Sequence, residues 1–160
     1  MADINTQLKE VKHTPRKTAV HEAGHAIVAA YYKMTIGTVS IAQTKDANDN
    51  ILAGFTEATP NHPTCRAHTL QFLLGGGVAE RHVLGEADAG VMKDLDDVYA
   101  TCSDAGICES DIVSIMKAMA LETGVIICKN KGNVNKVANM LMRKQSITGT
   151  DVERCIKIVR

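Results

Sequence analysis

Two histidines four residues apart, with a glutamate beside the first, give this chain its clearest chemistry: His21-Glu22-Ala23-Gly24-His25. On a helix, residues i and i+4 lie one above the other on the same face. The two imidazoles can therefore grip one Zn²⁺, while the intervening glutamate reaches a water that the ion acidifies. The pattern is His-Glu-x-x-His, and the chemistry it serves is metal-assisted hydrolysis of an amide bond, with Glu22 as general base and the metal polarising the carbonyl. The plain alternative is a pair of buried histidines satisfied by backbone or carboxylate groups.

The helix that carries the motif has a clear start. Thr14 can cap it and Pro15 suits its first turn. From there to about Met34 apolar residues fall almost all round, which predicts a central, buried helix. Polar side chains on such a helix need a partner, and a metal would provide one. Thr35–Ala42 and Ile51–Thr56 read as two strands of a hairpin or small antiparallel sheet, separated by a polar loop at 45–50. Cys65–Leu84 reads as an apolar helix interrupted by Gly75-Gly76-Gly77, glycines that a second helix at close range would make tolerable. Further helices are expected over Val91–Ser103, Asp111–Glu122, Val134–Gln145 and Asp151–Val159, the last with Thr150 as its cap and Glu153 in its first turn. The class is mainly α with a small β element. Residues 1–13 read as a lead-in and 14–160 as one domain.

Composition limits the partners. The chain has 160 residues with 45% hydrophobic and 3% aromatic content, so its core is built from Ala, Val, Ile, Leu and Met. Lys plus Arg and Asp plus Glu both number 18, and this zero net charge gives no basic surplus for nucleic acid. No apolar run is long enough for a membrane span, and the polar N-terminus lacks a signal-peptide core, so a cytoplasmic location is expected. The five cysteines, Cys65, Cys102, Cys108, Cys128 and Cys155, contain no Cys-x-x-Cys pair and read as mostly reduced and buried. Met116, Met119, Met140, Leu141 and Met142 read as core or an oligomer contact.

A catalytic zinc site takes three protein ligands and leaves one position open. His21 and His25 are two. Spacing does not single out the third, and Glu80, Glu86, Asp88, Asp94, Asp96, Asp97, His62, His68 and His82 all remain candidates. Glu80 and Glu86 could instead orient a ligand histidine, and the three histidines could simply lie on the surface. Gly24 reads as a point of close packing.

The stretch Thr18-Ala19-Val20-His21-Glu22-Ala23-Gly24-His25-Ala26-Ile27-Val28 resembles the zinc helix of the FtsH-type ATP-dependent metalloproteases. Val39-Ser40-Ile41 and Leu52-Ala53-Gly54-Phe55-Thr56 are similar to that family's two strands. Gly76-Gly77-Val78-Ala79-Glu80, Leu84-Gly85-Glu86 and Gly90-Val91-Met92-Lys93-Asp94-Leu95 are similar to the segments that follow, and residues 141–152 are similar to its closing helix pair. The resemblance implies a zinc metallopeptidase fold with Asp94 as third metal ligand beside His21 and His25. It implies Glu22 as base, and an edge strand at Gly54-Phe55-Thr56 that pairs with substrate backbone. Met92 and Lys93 depart from the family's usual neighbours of that aspartate. No Walker-type phosphate loop occurs in the 160 residues, so a stand-alone peptidase acting on peptides or unfolded segments is expected, as a homo-oligomer or beside a separate ATPase. A non-catalytic FtsH-like binding or regulatory module that keeps zinc for stability is the alternative, and a hydrolase of a non-peptide amide is a third reading.

Overall fold

The computed structural model describes residues 14–45, 51–52, 54–61, 66–86 and 90–160. The expected lead-in at 1–13, most of the polar loop at 45–50, and Cys65, His62 and Asp88 lie outside these residues. Helix α1 spans Pro15–Tyr31, and Thr14 caps it by accepting a hydrogen bond from the Lys17 amide. Every residue from Thr18 to Ala29 is buried, as a helix apolar on all sides requires. Helices α2 (Arg66–Leu84), α4 (Glu109–Lys129) and α5 (Lys131–Lys144) pack against α1, while α3 (Gly90–Asp104) packs on α2 and α4, and the short α6 (Gly149–Cys155) on α5. The fold is mainly helical with a small antiparallel sheet, as expected.

The strands differ from the two expected. β1 (Thr35–Ser40) lies in the middle of a three-stranded sheet, flanked by β4 (Phe55–Thr59) and β5 (Ser146–Thr148), both antiparallel to it. A separate two-residue ladder joins β2 (Thr44–Lys45) to β3 (Ile51–Leu52). The expected strand at 51–56 is thus split near Gly54, whose φ of 134° is open to glycine and strained for other residues. The third strand, β5, comes from the chain's far end, which no short-range alternation announces. A bulge between Ile36 and Val39 shifts the register of β1 against β4, and Glu57 Oε2 accepts the Thr38 amide there at 3.0 Å.

Helix boundaries also move. α2 runs unbroken through Gly75-Gly76-Gly77. α4 and α5 nearly join, with Asn130 alone between them. The last helix starts earlier than expected. Thr148, not Thr150, is its cap, because Asp151 accepts the Thr148 amide while Thr148 Oγ1 accepts that of Asp151. That helix ends at Cys155. The extended segment beyond it is bound by Asn130, which exchanges hydrogen bonds with the Val159 backbone, and by Asn133, which donates to Lys157 O. Of the described cysteines, all free, Cys102 is buried and Cys155 half-buried. Cys108, at the N-cap of α4, and Cys128, in its last turn, are exposed, contrary to the expected burial.

One core cluster joins α1 to β1, α5, β5 and α6 through residues such as Ile27, Val39, Leu141 and Ile147. A second joins α2, α3 and α4 through Leu70, Leu74, Val98 and Ile112, with Met116 and Met119 packed on it. The layers meet where α1 crosses α2. A Cβ on Gly24 would collide with the Gly75 carbonyl and lie 2.5 Å from Ala79 Cβ, and one on Gly75 would sit 3.0 Å from Gly24 O. These glycines cost each helix about 1 kcal/mol relative to alanine, and they allow the two backbones to touch. Gly24→Ala should therefore destabilise the protein by about 2 kcal/mol or more. Gly132→Ala on α5, where a Cβ meets nothing within 4 Å, should stabilise it by about 0.5 kcal/mol. Chemical denaturation of both variants checks the opposite signs.

Candidate metal centre

Close contact between α1 and α2 decides what surrounds the two histidines. Both are buried on α1 and face the glycine run of α2. A Cβ on Gly76 would lie 2.5 Å from Nε2 of each. The helix thus leaves open the space in which their ring nitrogens meet. Behind the rings, α2 supplies a partner for each remote nitrogen. His21 Nδ1 lies 2.6 Å from Glu80 Oε1, and His25 Nδ1 lies 2.7 Å from the carbonyl oxygen of Phe72.

These partners set the tautomers. A carbonyl oxygen only accepts, so His25 Nδ1 carries its proton and donates it to Phe72 O. The Glu80 carboxylate draws the His21 proton to Nδ1 in the same way. In the neutral imidazoles both Nε2 lone pairs then point into the open space, 3.0 Å apart. Two lone pairs at that distance repel, and a cation between them removes the conflict.

Asp94, on α3, completes the group. Its Oδ2 lies 2.9 Å from His21 Nε2 and 3.4 Å from His25 Nε2. That oxygen is shut off from solvent, yet it makes no aligned hydrogen bond. Burial acts to raise the Asp94 pKa, but the facing imidazoles outweigh it and hold the carboxyl well below the usual carboxylate range. Burial likewise lowers the His21 pKa, while Asp94 and Glu80 more than compensate and push it up to about 10. Two imidazole nitrogens and a carboxylate oxygen in tetrahedral coordination of Zn²⁺ stand about 3.3 Å apart, close to the three separations here. The donor set, the orphaned Oδ2 and the cradle at Gly76 all fit a metal ion held by His21, His25 and Asp94.

Glu22 points into the same region and is buried. Thr56 Oγ1, on β4, lies 2.8 Å from Glu22 Oε2 and donates to it. Burial pushes the Glu22 carboxyl up from its ordinary value, against the pull of both imidazoles and the Thr56 hydroxyl. A buried carboxyl held beside a metal cradle is placed to transfer a proton. β4 pairs with β1 on one side and is an edge of the three-stranded sheet.

The other candidates part from the centre. Glu86 is exposed and pairs with Lys17 at 3.2 Å. Asp96 and Asp97 are exposed on α3. His68 stacks on Tyr32, and His82 lies exposed with Nδ1 3.2 Å from Cys128 Sγ. Two contributors had no signal of their own in the sequence: the Phe72 carbonyl, because any residue supplies one, and Thr56, whose neighbour Glu22 is 34 positions away. Glu80 anchors His21, so Glu80→Gln should weaken zinc binding about 10- to 100-fold without unfolding the chain. A competition titration against a chromophoric chelator measures that loss.

No protein-family model matches the chain. It is similar to the ATP-dependent zinc metalloprotease FtsH 2 of Symbiobacterium thermophilum, 37% identical over 86 residues that cover 50% of this chain and 14% of that protein. It is also similar to the ATP-dependent zinc metalloproteases FtsH 3 and FtsH 1 of Phytoplasma mali, each 22% identical over 174 aligned residues, 92% of this chain and 29% of the relative. The chain spans less than a third of the length of these relatives. Its His-His-Asp group therefore belongs to a chain distantly homologous to the FtsH zinc metalloproteases.

Proposed function

We propose that residues 14–160 form a zinc-dependent metalloendopeptidase domain that hydrolyses peptide bonds in peptides or unfolded protein segments. One observation carries this reading: His21 Nε2, His25 Nε2 and Asp94 Oδ2 converge on the space opposite Gly76, with Glu22 buried beside them. Held by these three atoms, Zn²⁺ supplies Lewis acidity, which acidifies water and polarises the scissile carbonyl.

The chain's own residues do the rest. Glu22 takes a proton from the attacking water as its oxygen bonds to the carbonyl carbon. It passes that proton to the amide nitrogen as the C–N bond breaks, so the carboxylate is restored after each turnover. Thr56 fixes the Glu22 carboxylate through its hydrogen bond, leaving less rotamer freedom to lose on the way to the transition state. Glu80 and Phe72 O keep both ligand imidazoles in the tautomer that offers Nε2. Among the described residues β4 is an edge strand and carries Thr56, so a substrate strand paired along it would pass the base directly.

The distant FtsH relatives support the peptidase class. Within these 160 residues no phosphate-loop pattern occurs, so force to unfold a folded substrate would come from outside them. Glu22→Gln should keep the metal and lower cleavage of an unfolded protein such as casein by about 10²- to 10⁴-fold. Chelator should abolish wild-type cleavage and Zn²⁺ should restore it. Stoichiometric zinc without any cleavage would favour the non-catalytic, zinc-stabilised module instead.

A further inference from the structure

A cavity of about 560 Å³ opens between α2, α3 and α4, and Asp94 forms part of its wall. It thus adjoins the metal centre through a shared side chain. Its size falls in the range of small-ligand pockets, about 300–1,000 Å³. The walls are apolar, supplied by residues such as Leu74, Val78 and Leu95. At its mouth Leu121 stands 75% exposed, a large apolar side chain left in water. Asp94 is turned toward the imidazoles. Two fully charged side chains remain along the wall, Arg81 from the last turn of α2 and Lys117 from α4, and both are cationic. Neither forms an ion pair or hydrogen bond with a described residue.

An apolar cavity with two unpaired cations matches an apolar group that has a carboxylate beside it. On a peptide, that is a bulky apolar residue next to Glu or Asp. We propose that this cavity recognises substrate, taking an apolar side chain next to Asp94 while Arg81 and Lys117 meet a neighbouring carboxylate. The inference rests on the peptidase reading and narrows its substrates to apolar-acidic segments. Arg81 and Lys117 are specificity determinants here and take no part in bond cleavage. Both are exposed, so their charges act through solvent-screened attraction and set preference more than total affinity.

The test uses the zinc-loaded full chain and three fluorescent, unstructured peptides that differ only in a central Phe-Glu, Phe-Gln or Phe-Lys. Binding is followed by anisotropy and cleavage separately by chromatography. The Phe-Glu peptide should bind about fivefold more tightly than Phe-Lys, the scale of two exposed ion pairs, and the gap should shrink as salt rises. The Arg81→Glu/Lys117→Glu double variant should reverse the order, and Arg81→Gln/Lys117→Gln should erase it, with zinc content unchanged in both. Equal binding of all three peptides overturns the proposal even if all are cleaved. Charge-selective binding without cleavage upholds it and counts against the peptidase reading alone. Binding of dodecanoate but of no peptide also overturns it, since the cavity would then serve a free fatty acid.

Discussion

The contact between the backbones of α1 and α2 is the constraint on which the metal centre depends. Gly24 and Gly75 remove the side chains that would hold the helices apart. Only at this separation does α2 bring Glu80 to His21 and the Phe72 carbonyl to His25. The adjoining Gly76 keeps clear the space into which both Nε2 atoms point. Helix propensity argues against three consecutive glycines in mid-helix, and the tertiary contact overrides it. The sequence spends local stability at the position where the two helices must come closest.

Electrostatics favour a cation at this centre. Glu22 and Glu80, both buried, and the largely buried Asp94 converge on two imidazoles. Buried carboxylates are costly unless opposite charge offsets them. Without a metal, His21 holds a proton, as its raised pKa reflects. A divalent ion offers twice that charge at the point that Asp94 Oδ2 and both Nε2 atoms face.

Much of this was legible in the chain. The spacing of His21 and His25 places them on one helical face without reference to anything distant, and Thr14-Pro15 marks where that helix starts. The all-round apolar character of α1 gave its burial, and mid-chain glycines pointed to a close helix contact. What stayed illegible was long-range. Nine residues were open as the third ligand, because no local pattern encodes how α3 is placed against α1. Asp94 came from resemblance, and the geometry brings it to the histidines. β5 was missed since a three-residue strand has no periodicity to read. The cap of α6 was displaced by two residues because Thr148 and Thr150 both flank Gly149, and only the reciprocal bonds with Asp151 choose between them.

The substrate side follows from the same arrangement. β4 is an edge of the three-stranded sheet among the described residues and carries Thr56 beside Glu22, and Asp94 lines the apolar cavity. Bond cleavage and recognition would then meet at one aspartate. All of it requires that His21, His25 and Asp94 hold a single ion. Anomalous diffraction at the zinc edge from a zinc-loaded crystal tests this most directly. The account predicts one peak per chain, about 2.0–2.2 Å from His21 Nε2, His25 Nε2 and an Asp94 carboxylate oxygen. A crystal with no peak there, or with zinc bound only elsewhere on the chain, would contradict it.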